Sequence, residues 1–169
     1  MAFETLARRS ELVALQVQDL LPREADGSGR VLLPRSKTDP EGHGALLYLS
    51  PATLDRLLHW WQLAGIDKGA MFRSAHAYNR PGGYRNALSD RDVARIFKRL
   101  ALRVGLEADA ISGHSTRVGA TQDLLAANLS TAEIMRQGRW TTPRMVLRYG
   151  ERLEAGRSAM AQLTKKSTG

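Results

Sequence analysis

Apolar positions recur at helical spacing along most of this chain, and only one region breaks that rhythm with short apolar runs. Phe3, Leu6, Leu12, Val13 and Leu15 predict a helix over residues 3–15. Residues 21–29, LPREADGSG, read as turn. Val31 to Pro34 and Leu46 to Leu49 are the short apolar runs, and the Gly- and Pro-containing stretch between them predicts two antiparallel strands joined by a loop. Ser50-Pro51 then starts a helix, with serine as cap and proline at the first helical position, and Leu54, Leu57, Leu58 and Trp61 form its apolar face. Residues 66–88 are mixed, with a short apolar Ala70-Met71-Phe72 and a loop, HAYNRPGGYRN. Ser89 caps another helix, with Val93, Ile96, Phe97 and Leu100 as its face. Ser112 or Ser115 opens a helix that runs to Ala127. Ser130 caps the next, with Glu133 three residues on to complete a capping box. A short helix over Pro143 to Tyr149 and a last amphipathic one over 151–163 follow, ahead of a fraying KKSTG tail. The pattern predicts a mainly α domain with a small antiparallel β-sheet, with no internal repeat and no low-complexity segment.

Composition narrows the function classes. A length of 169 residues fits one domain, and 43% hydrophobic residues supply a core for it. A formal charge of +8 and a pI near 10.4 favour a polyanionic partner, because each neutralised phosphate releases counterions. Cysteine is absent, which excludes disulfides, thiolate metal sites and a thiol nucleophile, and is compatible with a reducing cytosol. No stretch approaches the roughly 18 to 20 apolar residues of a membrane span. The first residues carry charges where a secretory signal would be apolar.

The candidate chemistry lies in GHSTR, GRW and LRYG, with ARRSEL and RSKTD upstream. His114 and Arg117 are three residues apart and share one face of a helix start, where backbone N–H groups and the helix dipole favour an anion. Histidine exchanges protons near neutral pH, and arginine offers a planar fork of donors to two phosphate oxygens. Arg8 precedes Glu11 by three residues, so the carboxylate can hold the guanidinium. Arg9 has no partner by spacing and reads as a solvated charge. Trp140 carries one N–H donor, for a phosphate oxygen or for the core. Tyr149 has a phenol, a poor nucleophile unless positive charge and a base assist it. Each residue alone has a plain alternative: a half-buried tyrosine, a surface histidine, an exposed loop lysine at Lys37. Trp60 and Trp61 read as packing or surface residues. No metal site is apparent: His43, His59, His76 and His114 form no HExxH motif, Asp39 and Glu41 stand without an acidic cluster, and no phosphate-binding glycine loop is present.

The ordered set Arg, Lys, His-x-x-Arg, Trp, Tyr resembles the catalytic domain of the tyrosine recombinases, the phage integrase family, over roughly residues 3–163. The resemblance implies the DNA breaking-rejoining enzyme fold, with residues 1–169 as a single catalytic domain and the family's N-terminal DNA-clamping domain absent. It implies that Tyr149 attacks a DNA phosphate to form a 3′-phosphotyrosyl bond, without metal, ATP or other cofactor. Arg8 and Arg117 would clamp the phosphate, Glu11 would buttress Arg8, and His114 would be the general base. Lys37 would be the general acid, and Trp140 would donate its N–H. The implied partners are double-stranded DNA and further copies of the chain, four on two duplexes, with residues 153–169 as the candidate docking element. Arg35, Arg80, Arg85, Lys98 and Arg99 are candidates for the DNA face. The implied setting is the bacterial or phage-infected cytoplasm, at the nucleoid. Two readings stay beside this one: relaxation of DNA in the manner of a type IB topoisomerase, and a basic DNA-binding domain of the same fold without activity.

Overall fold

The computed structural model describes residues 1–33, 44–74, 87–156 and Met160, and of 152–156 only the backbone. The N-terminal apolar pattern makes two helices rather than one. Helix α1 (Ala2–Thr5) stops at Leu6, which is left-handed with φ 47°, and α2 (Arg9–Ala14) follows after Arg8 in an extended conformation. The break has a tertiary cause. Thr5, Leu6 and Ala7 are buried at the turn, and the Leu6 carbonyl accepts hydrogen bonds from arginines distant in sequence.

Strands β1 (Gly29–Leu33) and β2 (Ala45–Leu49) pair antiparallel, from Gly29 opposite Leu49 to Leu33 opposite Ala45. Their period-two pattern buries Val31, Leu33, Leu47 and Leu49 in a cluster with Leu15, Leu57 and Met71. Pro34, expected to close the first strand, lies outside the described residues. Helix α3 (Pro51–Ala64) covers this cluster, and its Ser50 cap accepts the Thr53 N–H at 3.3 Å. Leu54 and Leu57 are buried, and the Trp61 indole N–H donates to the Met71 carbonyl at 3.1 Å. Leu58, expected on the apolar face, is 37% exposed.

Helix α4 (Asp90–Arg103) starts at a Ser89–Asp92 capping box and packs Val93 and Phe97 against Ala7 and Leu12 of the N-terminal segment. Leu100, expected beside them, faces solvent at 51% exposure. Helix α5 (Ser115–Ala126) opens at Ser115, the second of the two expected starts. His114 holds the N-cap position, because the Ser112 N–H donates to Ser115 Oγ at 2.9 Å and the His114 N–H to Ser112 Oγ at 3.1 Å. Helix α6 (Thr131–Gly138) has the expected Ser130–Glu133 capping box.

The two helices expected over 143–149 and 151–163 are one through the described backbone: α7 (Arg144–Gly156) runs unbroken past Tyr149 and Gly150. Side-chain packing overrides the glycine. α5 lies along α7, and the Gln122 amide donates to the Tyr149 carbonyl at 3.1 Å. Leu125, Ile134 and Val146 close the core among α5, α6 and α7. The result is the mainly helical domain with one small sheet that the pattern predicts, and no described helix is long and apolar enough to cross a membrane.

Candidate active site

Four elements meet where the candidate residues lie: the α1–α2 turn, the first turns of α5, the end of α6, and α7. Arg8 leads α2, and Glu11 sits one turn later. The Glu11 carboxylate accepts the Arg8 backbone N–H at 2.8 Å through Oε2 and the Arg8 guanidinium at 2.5 Å through Oε1. Glu11 is 4% exposed. Burial alone would raise its carboxyl. The Arg8 N–H, the Arg139 guanidinium and the Arg8 side chain together outweigh burial and hold it at about 2.

Arg117 is the largest fully buried side chain among the described residues, at 2% exposure. Its guanidinium donates to the carbonyls of Leu6 and, at 2.9 Å, Gly138. It therefore joins the α1–α2 turn to the end of α6. It also lies over the Trp140 ring, 4.8 Å from the centroid. Burial, followed by the charge of Arg8, lowers the guanidinium to about 10, and Arg139 adds to the effect while Glu11 and Tyr149 oppose it. Trp140 reaches this position because Gly138 has no side chain: a Cβ there would stand 2.3 Å from the indole ring. Trp140 in turn meets Tyr149 edge to face, with centroids 5.9 Å apart and planes at 70°. Arg8, Glu11, Arg117, Trp140 and Tyr149 are thus linked in space as well as in sequence order.

Arg139 belongs to the same cluster, although it has no place in the set read from the sequence. It follows α6 in a left-handed conformation, φ 54°, which costs an L side chain on the order of 1 kcal/mol. Its guanidinium donates to Glu11 Oε2 at 2.8 Å, to the Thr5 carbonyl at 3.0 Å and to the Leu6 carbonyl at 3.4 Å. The available signal was local. An arginine stands just past a helix end, where a left-handed glycine is ordinary. Two guanidinium groups therefore bind one carboxylate, with the charge of Arg117 within its electrostatic reach, and the surplus positive charge suits an anion.

Other expected residues stand differently. Lys37, Arg35, Arg80 and Arg85 lie outside the described residues. His114 is exposed at the α5 N-cap, three residues before Arg117. The α5 N-terminus offers an anion fewer donors than its position predicts, since the His114 and Ser115 N–H groups are engaged within the preceding turn. Arg9 is not merely solvated. Its side chain lies across Gly113, where a Cβ would come within 2.1 Å of it, and it donates to the Asp90 carbonyl at 3.4 Å. Lys98 pairs loosely with Asp109 at 3.8 Å, and Arg99 lines a cavity of about 450 Å³ between α3 and α4. No group of three or more metal-ligating side chains occurs among the described residues.

Residues 1–155 match the family model described as the phage integrase family. An integrase/recombinase xerD homolog of Selenomonas ruminantium is 34% identical over 160 residues, covering 89% of this chain and 45% of that protein. Recombinase cre of Escherichia phage P1 is 30% identical over 175 residues, covering 96% of this chain and 50% of its own length. The chain thus spans about half the length of the curated relatives it matches. Among solved structures, the XerA recombinase superposes with a TM-score of 0.67 at 16% identity, over 88% of this chain and 48% of that one. XerH site-specific recombinase, in a post-cleavage complex with palindromic difH substrate, gives 0.69 at 15% identity, over 95% of this chain and 44% of that one. The fold is the one these recombinases share.

Proposed function

The chain belongs to the phage integrase family, and on that footing we propose that it is the catalytic domain of a site-specific tyrosine recombinase, cutting and rejoining DNA through a 3′-phosphotyrosyl intermediate. The observation that carries the reading is the buried Arg117 guanidinium, stacked on Trp140 and flanked by Arg8 and Arg139, with the Tyr149 ring against that same indole. A buried cation whose charge is disfavoured by two more cations is relieved by a bound phosphate.

The Tyr149 oxygen attacks the phosphorus of the scissile phosphodiester, and the 5′-oxygen leaves as a hydroxyl. Arg8 and Arg117 hold the non-bridging oxygens and stabilise the charge that builds up in the transition state. Glu11 keeps Arg8 aligned. His114 takes the phenolic proton, and Lys37 supplies one to the departing 5′-oxygen. Trp140 gives its N–H to the phosphate and packs the tyrosine helix. Attack by a 5′-hydroxyl from a partner strand reverses the step, so the bond energy is conserved and neither ATP nor metal is needed. The substrate is double-stranded DNA, with Arg35, Arg80, Arg85, Lys98 and Arg99 along its backbone. Strand exchange takes several copies of the chain, and residues 153–169 dock on a neighbour.

Incubation with supercoiled plasmid in EDTA, quenched with SDS, tests the reading. The expected result is nicked or relaxed DNA carrying covalently bound protein, with none for Tyr149→Phe. A covalent adduct formed by that variant contradicts it.

A further inference from the structure

We propose that Arg139 is a positioning residue of the phosphate site: it clamps Glu11 from the side opposite Arg8 and so holds the Arg8 guanidinium in register with Arg117. The inference rests on the recombinase reading for its chemistry, but its geometry stands independently. Glu11 uses both carboxylate oxygens, Oε1 toward the Arg8 guanidinium at 2.5 Å and Oε2 toward Arg139 at 2.8 Å. A carboxylate bridging two guanidinium forks is fixed in its plane, and the fork it presents to Arg8 is fixed with it.

Arg139 is anchored well enough to act as the fixed end. Its side chain is 11% exposed and also binds the carbonyls of Thr5 and Leu6. The Leu6 carbonyl is shared with Arg117. Leu6 and Arg139 are both left-handed, with φ 47° and 54°, and they touch each other. Two non-glycine residues in a disfavoured conformation, meeting at the carbonyl that the buried Arg117 guanidinium also binds, mark a site whose geometry the surrounding fold enforces. Through Arg139 the turn that carries Trp140 is tied to the turn that carries Arg8. The attacking side and the phosphate-holding side of the site are thereby fixed to each other.

Arg139→Gly separates this role from mere support of the fold, because glycine adopts φ 54° freely and preserves the turn. Two readouts are made on the full chain. The first is the single-turnover rate of covalent attachment to plasmid DNA. For Arg139→Gly it is expected to fall about 10- to 100-fold, as for other residues that orient a catalytic group, with DNA affinity held within about threefold. Arg139→Lys keeps the charge on Glu11 without the fork and should run at least about threefold faster than the glycine variant. The second is the 13C titration of the Glu11 side-chain carboxyl, assigned with Glu11→Gln. In the wild type it should stay still to about pH 3, and in Arg139→Gly its titration should move upward toward the ordinary carboxylate range, with the remaining Arg8 contacts opposing a full return.

A wild-type rate in Arg139→Gly overturns the proposal, as does a lysine variant no faster than the glycine one. An unmoved Glu11 titration overturns it regardless of any activity. A wild-type chain that never attaches to DNA contradicts the recombinase reading instead, and the Glu11 titration then decides alone on the clamp.

Discussion

At the scale of single side chains, Glu11 is held at about 2 against an ordinary 4.5, because burial, which would raise it, is outweighed by the Arg8 N–H and by the guanidiniums of Arg139 and Arg8. A carboxyl whose folded value lies below its unfolded one stabilises the fold above the unfolded value. That stability is lost as pH falls from about 4.5 through about 2. The shift corresponds to about 3 kcal/mol at neutral pH. Glu11→Gln is therefore expected to lose about 2 to 4 kcal/mol in urea unfolding at pH 7, and its deficit against the wild type should shrink as the pH approaches 3. A deficit that stays constant with pH would mean that ionised Glu11 is not what holds the arginines. The pairing of Arg8 with Glu11 is legible from a three-residue spacing. Arg139 is not, because its contact with Glu11 spans 128 positions, and an arginine just past a helix end marks the turn without naming its partner.

Secondary-structure elements show the same division between local and distant causes. The caps at Ser50, Ser89 and Ser130 are legible because a cap is a contact within three residues, and each helix begins where its serine predicts. Ser130→Ala should cost about 1 kcal/mol in thermal or chemical unfolding, with activity retained. The break at Leu6 and the continuity through Gly150 are illegible locally, since one is set by carbonyls that distant arginines use and the other by α5 lying along α7. Gly138 links element to site. Its missing Cβ lets the indole of Trp140 lie against the end of α6. Gly138→Ala should push Trp140 off Arg117, lowering stability by about 1 to 3 kcal/mol and reducing covalent attachment. Loss of tryptophan fluorescence change on DNA binding, alongside the stability measurement, separates indole displacement from general unfolding. An alanine variant with wild-type stability and rate would show that the indole position is not set by this glycine.

Across the whole molecule, the +8 charge favours a polyanionic partner, which is what the proposed function requires. Charge is legible from composition, and the family from the order of a few residues. The arrangement that makes them a site, with Arg117 buried between three segments, needs the folded chain. DNA binding should be strongly salt-dependent. Raising salt from about 50 to 200 mM is expected to weaken affinity at least about a hundredfold by fluorescence anisotropy, with little preference among unrelated sequences for the phosphate-driven part. A salt-independent affinity would contradict a backbone-driven interface. The most direct measurement is to digest the covalent protein–DNA complex with nuclease and protease and locate the nucleotide by mass spectrometry. The expected result is a nucleotide joined through its 3′-phosphate to the phenolic oxygen of Tyr149. A nucleotide on any other residue, or joined through a 5′-phosphate, would contradict the account.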